Sequence, residues 1–258
     1  MIHNESLIPL ILSLIAGLST VLGAFILFFS KMQNKKLITF ALSYSAGVMI
    51  TVSFTDLFAS AEETLTKYNG SSKGVFLAIF FLISGALIAL LIDKLIPEAP
   101  RSLNESHPEK LYRVGFVSMI ALMIHNFPEG IATFVSGYEN TSLGISIALA
   151  ISLHNIPEGI SIAMPIYYST KSKAKAFKYT LYSGLAEPFG AFIAFLFLRP
   201  YINEIILSIT FALVAGIMLY ISFAELIPTA REYKYHKTYL FSIFLGILTI
   251  ILSHIYGH

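Results

Sequence analysis

Long apolar segments alternate with short polar connections from one end of the sequence to the other. Each apolar segment has about 20 residues, enough for an α-helix to cross roughly 30 Å of hydrocarbon. The pattern predicts an all-α polytopic membrane protein in which residues 1–258 form a single transmembrane domain. Its eight predicted transmembrane helices, called spans 1 to 8, cover residues 7–29, 37–60, 74–96, 114–136, 143–168, 176–198, 202–228 and 238–256.

The amino-acid composition is typical of a membrane protein. Hydrophobic residues make up 56% of the sequence and charged residues only 12%, whereas a soluble domain carries about 25% charged residues. Membrane lipid is therefore the expected surrounding, and we expect no nucleic-acid partner. Cysteine is absent, so any bound metal ion must be held by nitrogen and oxygen ligands.

The distribution of basic residues predicts the direction of the chain in the membrane. Fourteen of the 17 Lys and Arg residues fall in the connections that follow spans 1, 3, 5 and 7. Because basic connections stay on the cytoplasmic side, both termini are predicted to lie outside the cell. The expected location is the cytoplasmic membrane, which is called the inner membrane in cells with two membranes.

Three segments occur twice, in mirrored order. Segment 17–26 resembles 184–193, segment 46–57 resembles 215–226, and segment 125–131 resembles 154–160. They pair span 1 with 6, span 2 with 7, and span 4 with 5, so the partners cross the membrane in opposite directions. This predicts an inverted repeat, with spans 1–3 related to spans 6–8 and span 4 related to span 5. Secondary transporters built this way bind their ligand near the membrane midplane.

Five acidic residues fall inside the predicted spans. A charged side chain at the centre of a membrane helix costs about 2.5–3.5 kcal/mol on insertion scales, and such residues usually mark an ion path. The five are Asp56, Glu129, Glu158, Glu187 and Glu225.

Spans 4 and 5 contain the same motif, His-Asn-x-Pro-Glu-Gly. It begins at His125 and at His154, and both histidines lie 11 residues into their spans, as Glu187 does in span 6. At ~1.5 Å per residue the three side chains lie about 16 Å deep, near the midplane. One buried histidine is usually a structural group, but a duplicated motif at matched depth favours a binding site.

The helical wheel places Glu129 between His125 and Asn126, at about 100° per residue. Span 5 repeats this arrangement on its antiparallel neighbour. Two facing motifs predict room for two metal ions, bridged by Glu129 and Glu158, and Glu187 is expected to complete the ion on the asparagine side. The candidate ligands are Asn126, Glu129, His154, Asn155, Glu158, Glu187 and, as a further ligand, His125.

The other two buried acids are expected near the ends of the path. Asp56 lies about 20 residues into an outward-running helix, hence near the outer mouth, and Glu225 lies as deep in an inward-running helix, hence near the inner mouth. One acid at each mouth suits a cation path. Helix capping or pairing with a loop is the alternative role for either residue.

The paired motifs, the eight spans and the outside termini resemble the ZIP family of metal transporters over nearly the whole chain. The resemblance implies uptake of zinc, with iron and other divalent ions as further substrates. Imidazole and carboxylate ligands suit zinc, iron, manganese, cobalt and cadmium alike, and no resident cofactor is expected. It implies one metal position at His154, Glu129 and Glu158, with His125 as a further ligand. The second implied position uses Asn126, Glu129, Asn155, Glu158 and Glu187. Pro188, directly after Glu187, departs from the family pattern.

Several alternatives remain open at this point. The same site would serve a metal exporter or a channel, because sequence predicts orientation but not the direction of flux. A membrane-embedded metalloenzyme would need an open metal position and a general base. The sequence contains no His-Glu-x-x-His motif, so no enzymatic activity is expected. A homodimer is one assembly that the sequence leaves open.

Overall fold

A computed structural model of the chain describes residues 4–29, 35–95, 108–139, 141–198 and 203–257. Within these ranges the chain forms eight helical rods, which match spans 1 to 8 in order and confirm the predicted all-α class. They are α1 (Asn4–Phe29), α2 (Lys35–Val52, Ser53–Phe58 and Ala59–Asn69), α3 (Ser71–Leu95), α4 (Pro108–Glu139), α5 (Thr141–Thr170), α6 (Lys173–Ile193 and Ala194–Leu198), α7 (Glu204–Tyr220, Ile221–Leu226 and Ile227–Glu232) and α8 (His236–Gly257).

The helices have the length and surface of membrane spans. Seven of those described are long and apolar enough to cross a membrane, and α8 contributes a shorter apolar stretch over His236–Leu252. Large apolar side chains are exposed on the outer faces of α3 and α8, including Phe76, Phe80, Leu91 and Phe244. Such a continuous apolar surface is suited to lipid.

The end of α2 differs from the prediction. The helix continues to Asn69, beyond the predicted boundary at residue 60, because residues 61–69 are polar but rich in the strong helix formers Ala, Glu, Leu and Lys. Gly70 alone separates α2 from α3, with φ at +83°. Its N–H donates to the Thr66 carbonyl at 2.9 Å, which is the C-terminal role that glycine fills best.

Helices α2, α6 and α7 each contain a π-helical stretch. The stretches Ser53–Phe58 in α2 and Ile221–Leu226 in α7 occupy matching positions of the repeat and carry Asp56 and Glu225. The third stretch is Ala194–Leu198 in α6. Isolated π turns are rare and concentrate at functional sites. Because the stretches in α2 and α7 match, the repeat extends to local backbone geometry.

Glycines allow the helices to pack with their backbones in contact, and they do so symmetrically. A Cβ added to Gly130 of α4 would overlap the Glu187 carbonyl of α6, and one added to Gly159 of α5 would overlap the Thr20 carbonyl of α1. Gly130 and Gly159 are equivalent positions of the repeated motif. The pairs α4–α6 and α5–α1 are therefore two copies of one packing arrangement.

The eight helices divide into two groups. Helices α1, α4, α5 and α6 each contact the other three and form the central group. In the flanking group, α2 packs on α8 and α3 on α7, with glycines again at the contacts, Gly47 against Ile243 and Gly85 against Leu213. The groups meet mainly where α2 contacts α5 and where α4 contacts α7.

The largest hydrophobic core joins the two groups. It is built from α2, α4, α5 and α7 and includes Met49, Leu122, Ile162 and Met218, which are fully buried. The polar residues of the repeated motif lie within the central group, so apolar packing surrounds the candidate site.

Candidate metal-binding site

The candidate ligands lie in the middle of three adjacent helices. His125, Asn126 and Glu129 belong to α4, Asn155 and Glu158 belong to α5, and Glu187 belongs to α6. All six residues are at most 2% exposed. His154 lies on α5 next to Asn155, and its side chain is outside the described residues.

Imidazole and carboxylates meet between α4 and α5. His125 Nε2 lies 3.0 Å from Glu158 Oε1 and 3.3 Å from Glu129 Oε1. The contact with Glu129 is within one helix, four residues apart, while the contact with Glu158 crosses to the antiparallel neighbour. The two glutamates of the repeated motif therefore face one another across a single histidine.

The asparagines are anchored by backbone carbonyls in matching ways. Asn155 Nδ2 donates to the Ala16 carbonyl of α1 at 3.0 Å, and Asn126 Nδ2 donates to the Ser183 carbonyl of α6 at 3.3 Å. Ala16 and Ser183 are equivalent positions, directly before Gly17 and Gly184. A carbonyl repels another oxygen, so each anchor turns the amide oxygen of its asparagine away from the backbone.

Glu187 joins this asparagine side of the site. Its Oε2 accepts a second bond from Asn155 Nδ2 at 2.8 Å, although Pro188 follows it inside α6. The helix continues through the proline to Ile193, so the departure from the family pattern does not displace Glu187 from the site.

Several buried oxygens in the site accept no hydrogen bond from the described residues. They are Asn126 Oδ1, Asn155 Oδ1, Glu187 Oε1 and Glu158 Oε2. Leaving a buried acceptor unsatisfied costs about 1–3 kcal/mol, and more for a charged one. A cluster of such oxygens in the interior is therefore unfavourable by itself and is suited to binding a cation.

The side chains of the site contact one another directly. Among the described residues, no group of three or more His, Asp or Glu side chains is arranged to hold a metal ion. His125 instead contacts both glutamates. The three buried carboxylates, Glu129, Glu158 and Glu187, repel one another in this low-dielectric region, which gives the site a strong electrostatic preference for cations.

The remaining predicted residues, Asp56 and Glu225, lie away from this centre. Asp56 is partly exposed in the π stretch of α2, with Thr55 Oγ1 3.3 Å from its Oδ2. Glu225 is 8% exposed in the π stretch of α7. It forms an ion pair with Arg113, whose Nη1 is 3.3 Å from Glu225 Oε1.

Sequence reasoning missed two sets of polar residues. Arg113 was assigned to the connection before span 4, but α4 begins at Pro108, so Arg113 is a helical residue that reaches Asp93 and Glu225. Ser45 of α2 donates to the Pro157 carbonyl at 2.6 Å, which joins the two helix groups beside the site. A single buried serine or a charge at a span end carries no pattern that would predict these contacts.

Comparison with known proteins decides the family. A family model described as ZIP Zinc transporter matches residues 98–254. Zinc transporter ZupT of Streptococcus mutans serotype c is 46% identical over 250 residues, covering 94% of this chain and 95% of that protein. This chain belongs to the ZIP family. Other ZIP-family relatives are Zinc transporter ZupT of Oceanobacillus iheyensis, 43% identical over 97% of this chain and 98% of that protein, and that of Clostridium perfringens, 42% identical over 97% and 96%.

Membership of the ZIP family confirms several predictions made from the sequence. The chain is a multi-pass membrane protein of a transporter family, and its relatives are named as transporters and not as enzymes. Residues 98–254, matched by the ZIP description, include both copies of the His-Asn-x-Pro-Glu-Gly motif and Glu187.

Proposed function

We propose that this ZIP-family protein carries zinc ions into the cell across the cytoplasmic membrane, through the site between α4, α5 and α6. The observation that carries the proposal is the pair of anchored asparagines, because their buried amide oxygens accept no hydrogen bond from the described residues and lie in the same buried site as the carboxylates. Oxygen and imidazole nitrogen are ligands that zinc accepts in proteins. The names of the relatives as zinc transporters support zinc as the cargo.

The proposed site has two metal positions. The first uses Glu129, Glu158 and His154, with His125 as a further ligand, and the second uses Asn126, Asn155 and Glu187 together with the two bridging glutamates. An ion entering the first position would replace the contacts that His125 makes with Glu129 and Glu158. While bound, the ion would pair with both carboxylates in place of the imidazole.

The proposed path runs from Asp56 to Glu225. In the orientation given by the basic connections, both termini lie outside, Asp56 is near the outer mouth and Glu225 near the inner mouth. Matching π stretches hold the two acids at equivalent places of the inverted repeat. Relative movement of the central and flanking groups would open the site to one side and then the other.

Selectivity among divalent ions is expected to be broad. Imidazole, amide and carboxylate ligands suit iron, manganese, cobalt and cadmium as well as zinc, and affinity alone does not exclude them. We therefore expect iron(II) and cadmium to compete with zinc for uptake.

Zinc-65 uptake into cells that lack their own zinc importers tests the proposal. Glu129→Gln and Glu158→Gln each remove a bridging charge while keeping the side chain's shape, and each is expected to lower uptake at least about tenfold, as loss of metal ligands or their partners does. Glu63→Gln, at an exposed acid of α2, is the matched control and should leave uptake unchanged. Expression in the membrane is measured for every variant.

The outcomes separate the proposal from its alternatives. Wild-type uptake that saturates with external zinc and falls in the two site variants supports a transporter that uses this site. Wild-type cells that lose zinc would indicate export, and uptake that never saturates would indicate a channel. Site variants that match wild type would show that the repeated motif has a structural role.

A further inference from the structure

A second charged cluster lies where α3 ends and α4 begins. Arg113 Nη2 is 2.6 Å from Asp93 Oδ1 and donates to the Asp93 carbonyl at 3.0 Å, while Arg113 Nη1 is 3.3 Å from Glu225 Oε1. Tyr220 donates from its hydroxyl to Asp93 Oδ2 at 2.9 Å. The Arg113, Asp93 and Glu225 side chains are 18%, 15% and 10% exposed. Solvent therefore screens this network much less than an ordinary surface ion pair.

The cluster crosses the boundary between the two helix groups. Arg113 belongs to α4, which carries the candidate ligands His125, Asn126 and Glu129, whereas Asp93 and Glu225 belong to α3 and α7 of the flanking group. Any movement of the central group against the flanking group must therefore strain or break these contacts at this end of the molecule.

The guanidinium holds its two partners unequally. It makes two short contacts with Asp93, at 2.6 and 3.0 Å, and a single longer one with Glu225, at 3.3 Å. Charge-assisted hydrogen bonds are strongest at about 2.7–2.9 Å. Arg113 can therefore release Glu225 with a small shift while Asp93 continues to hold it.

The inverted repeat places no second arginine at the position that matches Arg113. The residue as far before His154 as Arg113 is before His125 is Ser142, and the residue equivalent to Glu225 is Asp56. In the sequence a cationic side chain thus accompanies the acid at one mouth, and a serine occupies the matching place at the other. The two ends of the path differ in charge although their backbones follow the same repeat.

We propose that Arg113 is a positioning residue for metal release, a tethered cation that pairs with Glu225 until an outgoing ion displaces it. By returning to Glu225 after the ion has passed, the guanidinium prevents Glu225 and Asp93 from retaining that ion. The inference rests on the proposed function for the presence and direction of the outgoing ion. This role for Arg113 is separate from metal binding by the ligands of the central site.

The test compares Arg113→Gln, which removes the charge, with Arg113→Lys, which keeps it. Purified Arg113→Gln should retain about one more zinc ion per chain than wild type after desalting, because two carboxylates lose their cation. Its maximal zinc-65 uptake should fall about fivefold or more, with the KM for external zinc within about twofold, because slower release affects turnover and not entry. Arg113→Lys should resemble wild type, as should Arg231→Gln at an exposed arginine of α7.

A double variant guards against misfolding. Breaking a buried ion pair leaves an uncompensated charge, which is strongly destabilising, so Arg113→Gln is also made together with Asp93→Asn. This double variant should lose the additional zinc ion and recover maximal uptake to at least about half of wild type, since a single carboxylate holds an ion weakly. If the Arg113→Gln protein does not accumulate in the membrane, the double variant alone tests the proposal. Uptake that does not recover in the double variant would contradict it.

The results that overturn the inference are distinct from those that overturn the proposed function. An unchanged zinc count and unchanged maximal uptake in Arg113→Gln, or equal impairment by lysine, would overturn the role of Arg113. The zinc count is repeated with Glu129→Gln added both to wild type and to Arg113→Gln. The difference between these two proteins then depends on neither the central site nor flux. If wild type takes up no zinc while Arg113→Gln still gains an ion, the proposed function and the release step fail, although Arg113 still keeps zinc from binding Glu225 and Asp93.

Discussion

At the scale of single residues, the site depends on how each amide is turned. The asparagine side chain has a donor end and an acceptor end, and here the donor ends are taken by the Ala16 and Ser183 carbonyls and by Glu187. The acceptor ends, Asn126 Oδ1 and Asn155 Oδ1, are buried and accept no hydrogen bond from the described residues. Asn155 has the larger role, because it joins α1, α5 and α6 through one amide group.

Asn155→Ala is therefore expected to damage the site more than loss of one ligand would. The change removes a ligand oxygen and leaves Glu187 without the amide donor that holds it. We expect the KM for zinc uptake to rise about 10- to 100-fold, the usual cost of losing a residue that orients metal ligands. The matched control is Asn69→Ala at the end of α2, whose amide donates to the Leu65 carbonyl of its own helix. Equal KM values for the two variants would contradict the role given to Asn155.

At the scale of helices, close backbone packing sets the position of the ligands. Gly130 follows Glu129 directly, and the backbone carbonyl that it touches belongs to Glu187. The same contact therefore fixes the spacing of α4 and α6 and the separation of two ligands. A larger side chain at residue 130 would act on the site without touching a metal ion.

Gly130→Ala is expected to reduce both stability and uptake. The added methyl group overlaps the Glu187 carbonyl, and such overpacking costs about 1–3 kcal/mol. At Gly137, on the same helix, the atoms nearest to an added methyl group belong to Pro9, at 3.2 to 3.4 Å, so Gly137→Ala should have a much smaller effect. The measurement is the midpoint of thermal unfolding in detergent, followed by size-exclusion chromatography, together with zinc-65 uptake. A Gly130→Ala midpoint equal to that of Gly137→Ala would show that α4 and α6 separate without cost.

Helix-scale features show which parts of the structure the sequence could predict. The lengths of the apolar segments predicted all eight helices. The predicted end of α2 was wrong, because the polar residues 61–69 remain helical. The π stretches were not predicted, because these membrane helices are apolar on most faces, so the shift of about 100° that one inserted residue causes does not show in the sequence. The anchoring carbonyls of Ala16 and Ser183 were missed for a related reason, because a backbone acceptor carries no mark in the sequence.

At the scale of the whole molecule, the inverted repeat organises both the packing and the path. The repeat was predicted from three matched segments, and it recurs in the glycine contacts and in the π stretches that carry Asp56 and Glu225. The division into central and flanking groups was not predicted, because helix contacts depend on three-dimensional packing that a single sequence does not specify. Glu187 has Thr20 as its equivalent in the repeat, and Arg113 has Ser142, so the two halves differ chemically at these positions.

The most direct test of the central claim is the number of zinc ions held by the purified protein. Wild type and the Glu129→Gln, Glu158→Gln double variant are loaded with zinc, desalted and compared by elemental analysis, with thermal stability confirming that both are folded. We expect wild type to retain zinc and the double variant to lose it, because both bridging carboxylates are gone. A folded double variant that retains as much zinc as wild type would contradict a metal site between α4, α5 and α6.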